Sequence, residues 1–348
     1  MNNGSDLMVV KEPIFNITPE FYKQFGFILN TILTPLVCIP GLIGNIVGLF
    51  ILGKDPNKKK LTIYTYLISL MIFDIVYLIL GLSVTATEAI AVFDYYLGNL
   101  VVETYGIYRG YKDIVLNHIS SILLIFMSLE RLMALMCPFT AKNSWLAKYP
   151  KLIVTVSSIV LAGYTIPFLT SLTLVPFSNF ENRTEYAVRV RPGYVNMFQK
   201  FMFFETIILH FVAPLVVMIL NILIAVAYSR FLKQRSNVKS SQTDAQKKIT
   251  VVVLCVATLY VVLSIPNLIA KTFMFIDSDY SFVGRFKLTF FFFIYIGDLL
   301  ARINAAIDFF IYIMVSSRYK SVFSEMIRDV ACCRCTTKEA KQQSESPE

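Results

Sequence analysis

Asp113, Asn117, Ser120, Leu124, Met127 and Arg131 follow one another at steps of 4, 3, 4, 3 and 4. That spacing is one face of an α-helix. Asp113 and Arg131 are 18 residues apart, roughly 27 Å along a helix at ~1.5 Å per residue. A carboxylate at one end, a guanidinium at the other and an amide and a hydroxyl between them make a stripe that must pack against other helices. The residues flanking it are mostly apolar, and an ionisable group in such surroundings is costly and points to a functional role.

Other polar groups stand in similarly apolar blocks. Asp74 sits near the middle of one. Asp298 and Arg302 are four apart, as are Asn304 and Asp308, so each pair lies on a single helical face. If the blocks are aligned, Asp74, Ser120, Asn304 and Asp308 share a depth. Two carboxylates there repel unless a proton or a cation intervenes. Oxygen ligands and water would suit a small cation such as sodium, acting as a modulator; a hydrated polar knot that fixes helix packing is the alternative. Asp113, Arg109, Lys112, Lys271, Asp298 and Arg302 lie at a second common depth and predict a polar cavity opening to one side. Asp113, Asn117, Lys271, Asp298 and Arg302 are its candidate ligand-binding residues, although Asp113 and Arg302 could instead neutralise each other.

The elements that must hold these groups follow from composition. The chain has 348 residues, 56% hydrophobic and only 16% charged, with a mean hydropathy of +0.63. A soluble domain is nearer a quarter charged. The apolar residues come in blocks of about 20, the length that crosses a bilayer as a helix. Seven such spans are expected, near Phe25–Leu52, Leu61–Ser83, Tyr105–Met136, Lys151–Leu174, Phe201–Tyr228, Ile249–Phe275 and Leu288–Val315. The fold class is therefore an all-α membrane protein, a seven-helix bundle over 25–315, with an outer segment 1–24 and a tail 316–348. No internal repeat is visible. The polar start predicts no cleavable signal, so the first span serves for insertion.

Charge sets the orientation. Segments on one side of the spans hold 20 Lys and Arg, those on the other hold eight, and four lie inside spans. Positive residues favour the cytoplasm, so the net charge of +9 reflects membrane topology and not a nucleic-acid partner. The N-terminus is expected outside. Sequons at Asn3, Asn16 and Asn182 all fall on the outer side, and glycosylation there would mark a plasma-membrane glycoprotein.

These residues resemble the rhodopsin-like (class A) G-protein-coupled receptors over about 25–330. The similarity is carried by Gly44-Asn45 in the first span, Leu70 and Asp74 in the second, and Glu130-Arg131-Leu132 with Pro138-Phe139 after the third. Pro167, Pro214 and Pro266 stand in spans four to six, and Asp308-Phe309-Phe310-Ile311-Tyr312 closes the seventh. Tyr319 to Arg328 can form a short amphipathic eighth helix. Cys332, Cys333 and Cys335 beyond it are palmitoylation candidates. The resemblance implies that Glu130 holds Arg131 at rest. Activation would free Arg131 to meet a heterotrimeric G protein, with Tyr312 swinging in and Phe139 docking on the G protein. A basic third inner loop, Arg230, Lys233, Arg235, Lys239, Lys247 and Lys248 against Asp244, suits an anionic lipid face.

Several family features are missing. No Cys lies near the outer end of the third span or within 175–200, so the usual disulfide cannot form. The stretch Tyr186 to Tyr194 is expected to make a hairpin without that staple. Ser157, Ser264 and Ile222 stand where the family has two Trp and a Tyr. Arg302, at the retinal-lysine position, cannot form a Schiff base, which excludes a light receptor. Asp113 alone would favour an amine, but charges of both signs favour a peptide. The chain is similar to invertebrate FMRFamide-type neuropeptide receptors and their chemosensory relatives, so an extracellular neuropeptide is the expected ligand, and a chemosensory or amine-type receptor the alternative. A transporter or channel fits less well, since no repeat is present. With His118 and His210 the only histidines, no hydrolase constellation assembles, and neither an enzyme nor a required cofactor is expected.

Overall fold

The computed structural model describes residues 17–54, 62–178, 184–234, 241–277, 279–280, 284–315, 320–321, 323–325 and 328. Among them, seven helical segments are long and apolar enough to cross a bilayer: Pro19–Gly53, Ile63–Ile90, Ile114–Met136, Pro150–Ser171, Val195–Lys233, Lys247–Ile276 and Lys287–Val315. Their outward faces carry Ile43, Phe50, Ile72, Ile79, Leu152, Ile159, Ile219 and Ile222, all exposed. A belt of exposed large apolar side chains around a helical bundle is what lipid contact requires.

The third span is the axis of the bundle. It packs against the second, fourth, fifth and sixth, while the first lies between the second and the seventh. Leu124, Met127 and Arg131 of the polar stripe are buried, as their spacing requires. The core around them includes Leu67, Leu70, Met71, Val217, Val253 and Tyr312. The first and seventh spans approach closely because Gly41 and Gly44 have no Cβ; one added at either would overlap Ala306 or Phe309. Beside them, Asn45 donates to the Ala305 carbonyl at 2.8 Å.

The helices overrun the expected spans at their ends. The second runs Ile63–Phe93 and the third Tyr95–Met136, joined only by Asp94. The Asp94 carboxylate accepts from the Leu97 N–H at 3.0 Å, which caps the new helix. Prolines interrupt two others. The fourth divides into Pro150–Tyr164 and Ile166–Ser171, and the sixth into Ser241–Leu263 and Ile265–Ile276. Pro167 and Pro266 each remove a helical N–H just inside the new segment.

The fourth span does not continue to Leu174, as its apolar run suggested. Leu172–Ser178 is a strand, β1, paired antiparallel with β2, Thr184–Val190. The hairpin therefore pairs Val188–Val190 of the expected stretch with Leu172–Leu174, residues assigned to the span, and Tyr186 with Pro176 just beyond it, while the remainder turns away. Beyond β2, the Arg191 N–H donates to the Ser171 carbonyl at 2.7 Å. Pro192, Gly193 and Tyr194 then form a turn, with Gly193 at φ 85°, a conformation that glycine adopts without steric cost. Without a disulfide, β2 is held by packing on the third span and by Val188 and Val190 against the Phe168 and Phe198 cluster. Residues 320, 321, 323–325 and 328 are helical, and Phe323 meets Phe309 edge-on at 5.8 Å. Asn3, Asn16, Asn182, Arg235, Lys239, Cys332, Cys333 and Cys335 lie outside the described residues.

Candidate functional site

The polar centre of the bundle is built on Glu205, 1% exposed. Its two carboxylate oxygens face different partners. Oε1 lies 3.5 Å from His118 Nε2 and 3.2 Å from His210 Nδ1. Oε2 accepts from Lys271 Nζ at 3.3 Å and from the Thr206 hydroxyl at 3.3 Å. The third, fifth and sixth spans thus meet on one carboxylate. Lys271 is near the end of its span remote from Arg131, as Glu205 is in the fifth. The Tyr164 hydroxyl, buried and without a hydrogen-bond partner, approaches from the fourth span.

Local backbone geometry makes this meeting possible. Thr206–Val212 is π-helical. On an α-helix, residues five apart point about 140° away from each other. With i→i+5 bonding the turn widens to ~4.4 residues and the same pair lies within about 50°. Glu205 and His210 therefore share a face only because the helix is widened here. Sequence reasoning on α-helical spacing passed over Glu205, His118 and His210. The signal that could have found them is an acid and two imidazoles within apolar spans.

The candidate ligand residues are partly gathered here. Lys271 is bound to Glu205, and Asp298 lies close enough to His210 to act on it electrostatically. Asn117 lines a small polar recess with Tyr260, Ser264, Asn267 and Asn304. Arg302 is elsewhere. It is buried against Gly81 of the second span and Cys38 of the first. The side chains of Arg109, Lys112 and Asp113 lie outside the described residues. An apolar groove of about 570 Å³ between Leu36, Pro40, Ile307 and Phe310 opens on the lipid side and offers no polar group to a soluble ligand.

Asp74 and Asp308 are buried side by side, with Ser120 adjoining Asp74. Asp74 Oδ2, Asp308 Oδ1 and Asn304 Oδ1 have no hydrogen-bond partner. Orphaned carboxylate oxygens on two adjoining acids fit a small hard cation, and Asn304 stands one helical turn before Asp308. At the far end of the third span, Arg131 forms a bidentate pair with Glu130, Nε to Oε2 at 2.6 Å and Nη2 to Oε1 at 2.8 Å. Pro138 opens a short helix, Pro138–Asn143, on which Phe139 is 89% exposed. Tyr312 is buried in the core that also holds Leu124 and Met127. Between the two ends, Ser121 and Tyr260 share a hydrogen bond of 2.7 Å across the third and sixth spans.

A family model described as serpentine type 7TM GPCR chemoreceptor Srw matches residues 32–329, from within the first span to beyond the seventh. Over 318 residues the chain is 21% identical to a Caenorhabditis elegans protein named as a probable G-protein coupled receptor. That alignment covers 88% of this chain and 71% of the relative.

Proposed function

The chain belongs to the Srw family of serpentine seven-transmembrane chemoreceptors, a receptor class and not an enzyme class, and from that premise we propose how it works. It is a plasma-membrane receptor with its N-terminus outside. It takes a charged extracellular ligand at the Glu205 end of the bundle and activates a heterotrimeric G protein at the Arg131 end. The observation that carries this reading is that one helix, the third, bears both His118 in the buried ionic centre and Arg131 in its clasp. They are 13 residues apart, or roughly 20 Å. A ligand that draws Lys271 off Glu205 would alter how the third, fifth and sixth spans pack. Release of Arg131 from Glu130 would follow as the inner ends part.

Charges of both signs, Lys271 and Asp298, suit the terminus of a short peptide, the ligand class expected from the resemblance to FMRFamide-type receptors. The second reading, a small water-soluble chemical cue, is favoured by the family's chemoreceptor description. Sodium held by Asp74, Ser120, Asn304 and Asp308 would stabilise the resting packing. The test is a screen of amidated peptides and small charged compounds on cells expressing the chain, read by calcium and cyclic AMP. A response that vanishes in Arg131→Ala with surface expression intact supports the reading. A ligand-evoked current in cells lacking G proteins would replace it with a channel.

A further inference from the structure

The geometry points to a transition-metal site of the zinc class formed by His118, Glu205 and His210. The inference is independent of which agonist the receptor takes. Their donor atoms all lie within 4.8 Å of one another. In a tetrahedral zinc site with bonds of about 2.0–2.1 Å, ligand atoms stand about 3.3–3.4 Å apart. The two measured edges, His118 Nε2 to Glu205 Oε1 at 3.5 Å and His210 Nδ1 to the same oxygen at 3.2 Å, bracket that spacing. Only the edge between the two imidazoles, at most 4.8 Å, must close, by up to about 1.5 Å.

Side-chain hydrogen bonds to the Glu205 carboxylate come from Lys271 and Thr206, not from the imidazoles. Neither imidazole makes a well-aligned hydrogen bond to the Glu205 carboxylate, although His118 Nε2 lies 3.5 Å and His210 Nδ1 3.2 Å from Oε1, and His210 also meets the Glu205 main chain. His118 is 2% exposed. Two imidazole nitrogens, one buried and one partly so, turned on one carboxylate oxygen are what a divalent ion would organise. Two histidines and a glutamate are a common zinc donor set that leaves a fourth position open. A water can take it. Lys271 does not occupy the metal position, because it engages Oε2. It lies beside the carboxylate as a hydrogen-bonding neighbour of the kind that orients metal ligands. Its positive charge opposes the ion.

Detergent-solubilised full-length chain, with Cys332, Cys333 and Cys335 changed to Ser to remove tail thiols, is titrated with zinc chloride or magnesium chloride and its melting temperature followed. Zinc at micromolar concentration is expected to raise the melting temperature, magnesium is not, and a chelator reverses the effect. His118→Ala and His210→Gln should each raise the zinc midpoint by at least about tenfold. His210→Gln retains polarity and bulk, so it serves if His118→Ala does not fold. The site is overturned if zinc leaves the melting temperature unchanged. A shift that survives His118→Ala/His210→Gln together overturns it as well. Neither outcome bears on whether the chain couples to a G protein.

Discussion

Arg131 is clasped by the residue before it, Glu130, through two charge-assisted hydrogen bonds of 2.6 and 2.8 Å. Both side chains are largely withdrawn from solvent, so the pair holds Arg131 against the third span. Hydrogen bonds to charged groups contribute about 1.5–3 kcal/mol. Glu130→Gln removes the charge and keeps the shape. Ligand-independent signalling should rise about tenfold, the equivalent of ~1.4 kcal/mol, per receptor at the cell surface. Unchanged basal cyclic AMP and inositol phosphate would mean the clasp is not the resting lock.

The Ser121–Tyr260 hydrogen bond of 2.7 Å ties the third span to the sixth just beyond the Asn117 recess. Buried interhelical hydrogen bonds in membranes average about 0.6 kcal/mol of coupling. Ser121→Ala and Tyr260→Phe should each lower thermal stability in detergent. The double variant should lose less than the two single losses combined. Additive losses would show that the bond contributes nothing.

Glu205 and Lys271 are both deeply buried. Removing one partner of such a pair costs about 3–5 kcal/mol because the other charge is left uncompensated. Glu205→Gln and Lys271→Met are each expected to reduce surface expression strongly. The double variant should recover much of it, as counted by an epitope tag in intact cells. A double variant no better than the worse single one would break the pairing argument.

Gly41 lies against Ala306 with no room for a Cβ, whereas nothing approaches within 4 Å of a Cβ built at Gly53. Gly41→Leu should therefore force the first and seventh spans apart and abolish surface expression. Gly53→Leu, at the end of the same helix, should leave expression within about twofold, since surface changes typically cost under ~0.5 kcal/mol. Equal expression of the two variants would contradict the close approach.

The orphaned oxygens of Asp74, Asn304 and Asp308 make a sodium test direct. Replacing a bulky organic chloride salt by sodium chloride at equal ionic strength should raise the melting temperature of the wild-type chain. The rise should be lost in Asp308→Asn, which removes one carboxylate and the repulsion that a cation relieves. A sodium-independent melting temperature would leave these groups as a packing knot.

Much of the fold was legible in the chain. Blocks of about 20 apolar residues dictate helices across a bilayer, and the order of Asp74, Glu130-Arg131 and Asp308 to Tyr312 aligned them with a receptor family. The spacing of Leu124, Met127 and Arg131 implied a buried face, and the bundle buries it, because α-helical periodicity holds along that stretch. The site was less legible. Glu205 and His210, five apart, fall on opposite sides of any α-helix, and only the π-helical turn Thr206–Val212 rotates them together. Arg302, assigned by spacing to the polar cavity, lies against Gly81 and Cys38, since periodicity fixes a residue's face but not which neighbouring helix that face meets. Spacing along one helix is a local property and is written in the sequence. The convergence of His118, Glu205 and Lys271 from three helices depends on helix rotation and backbone register, which only packing decides.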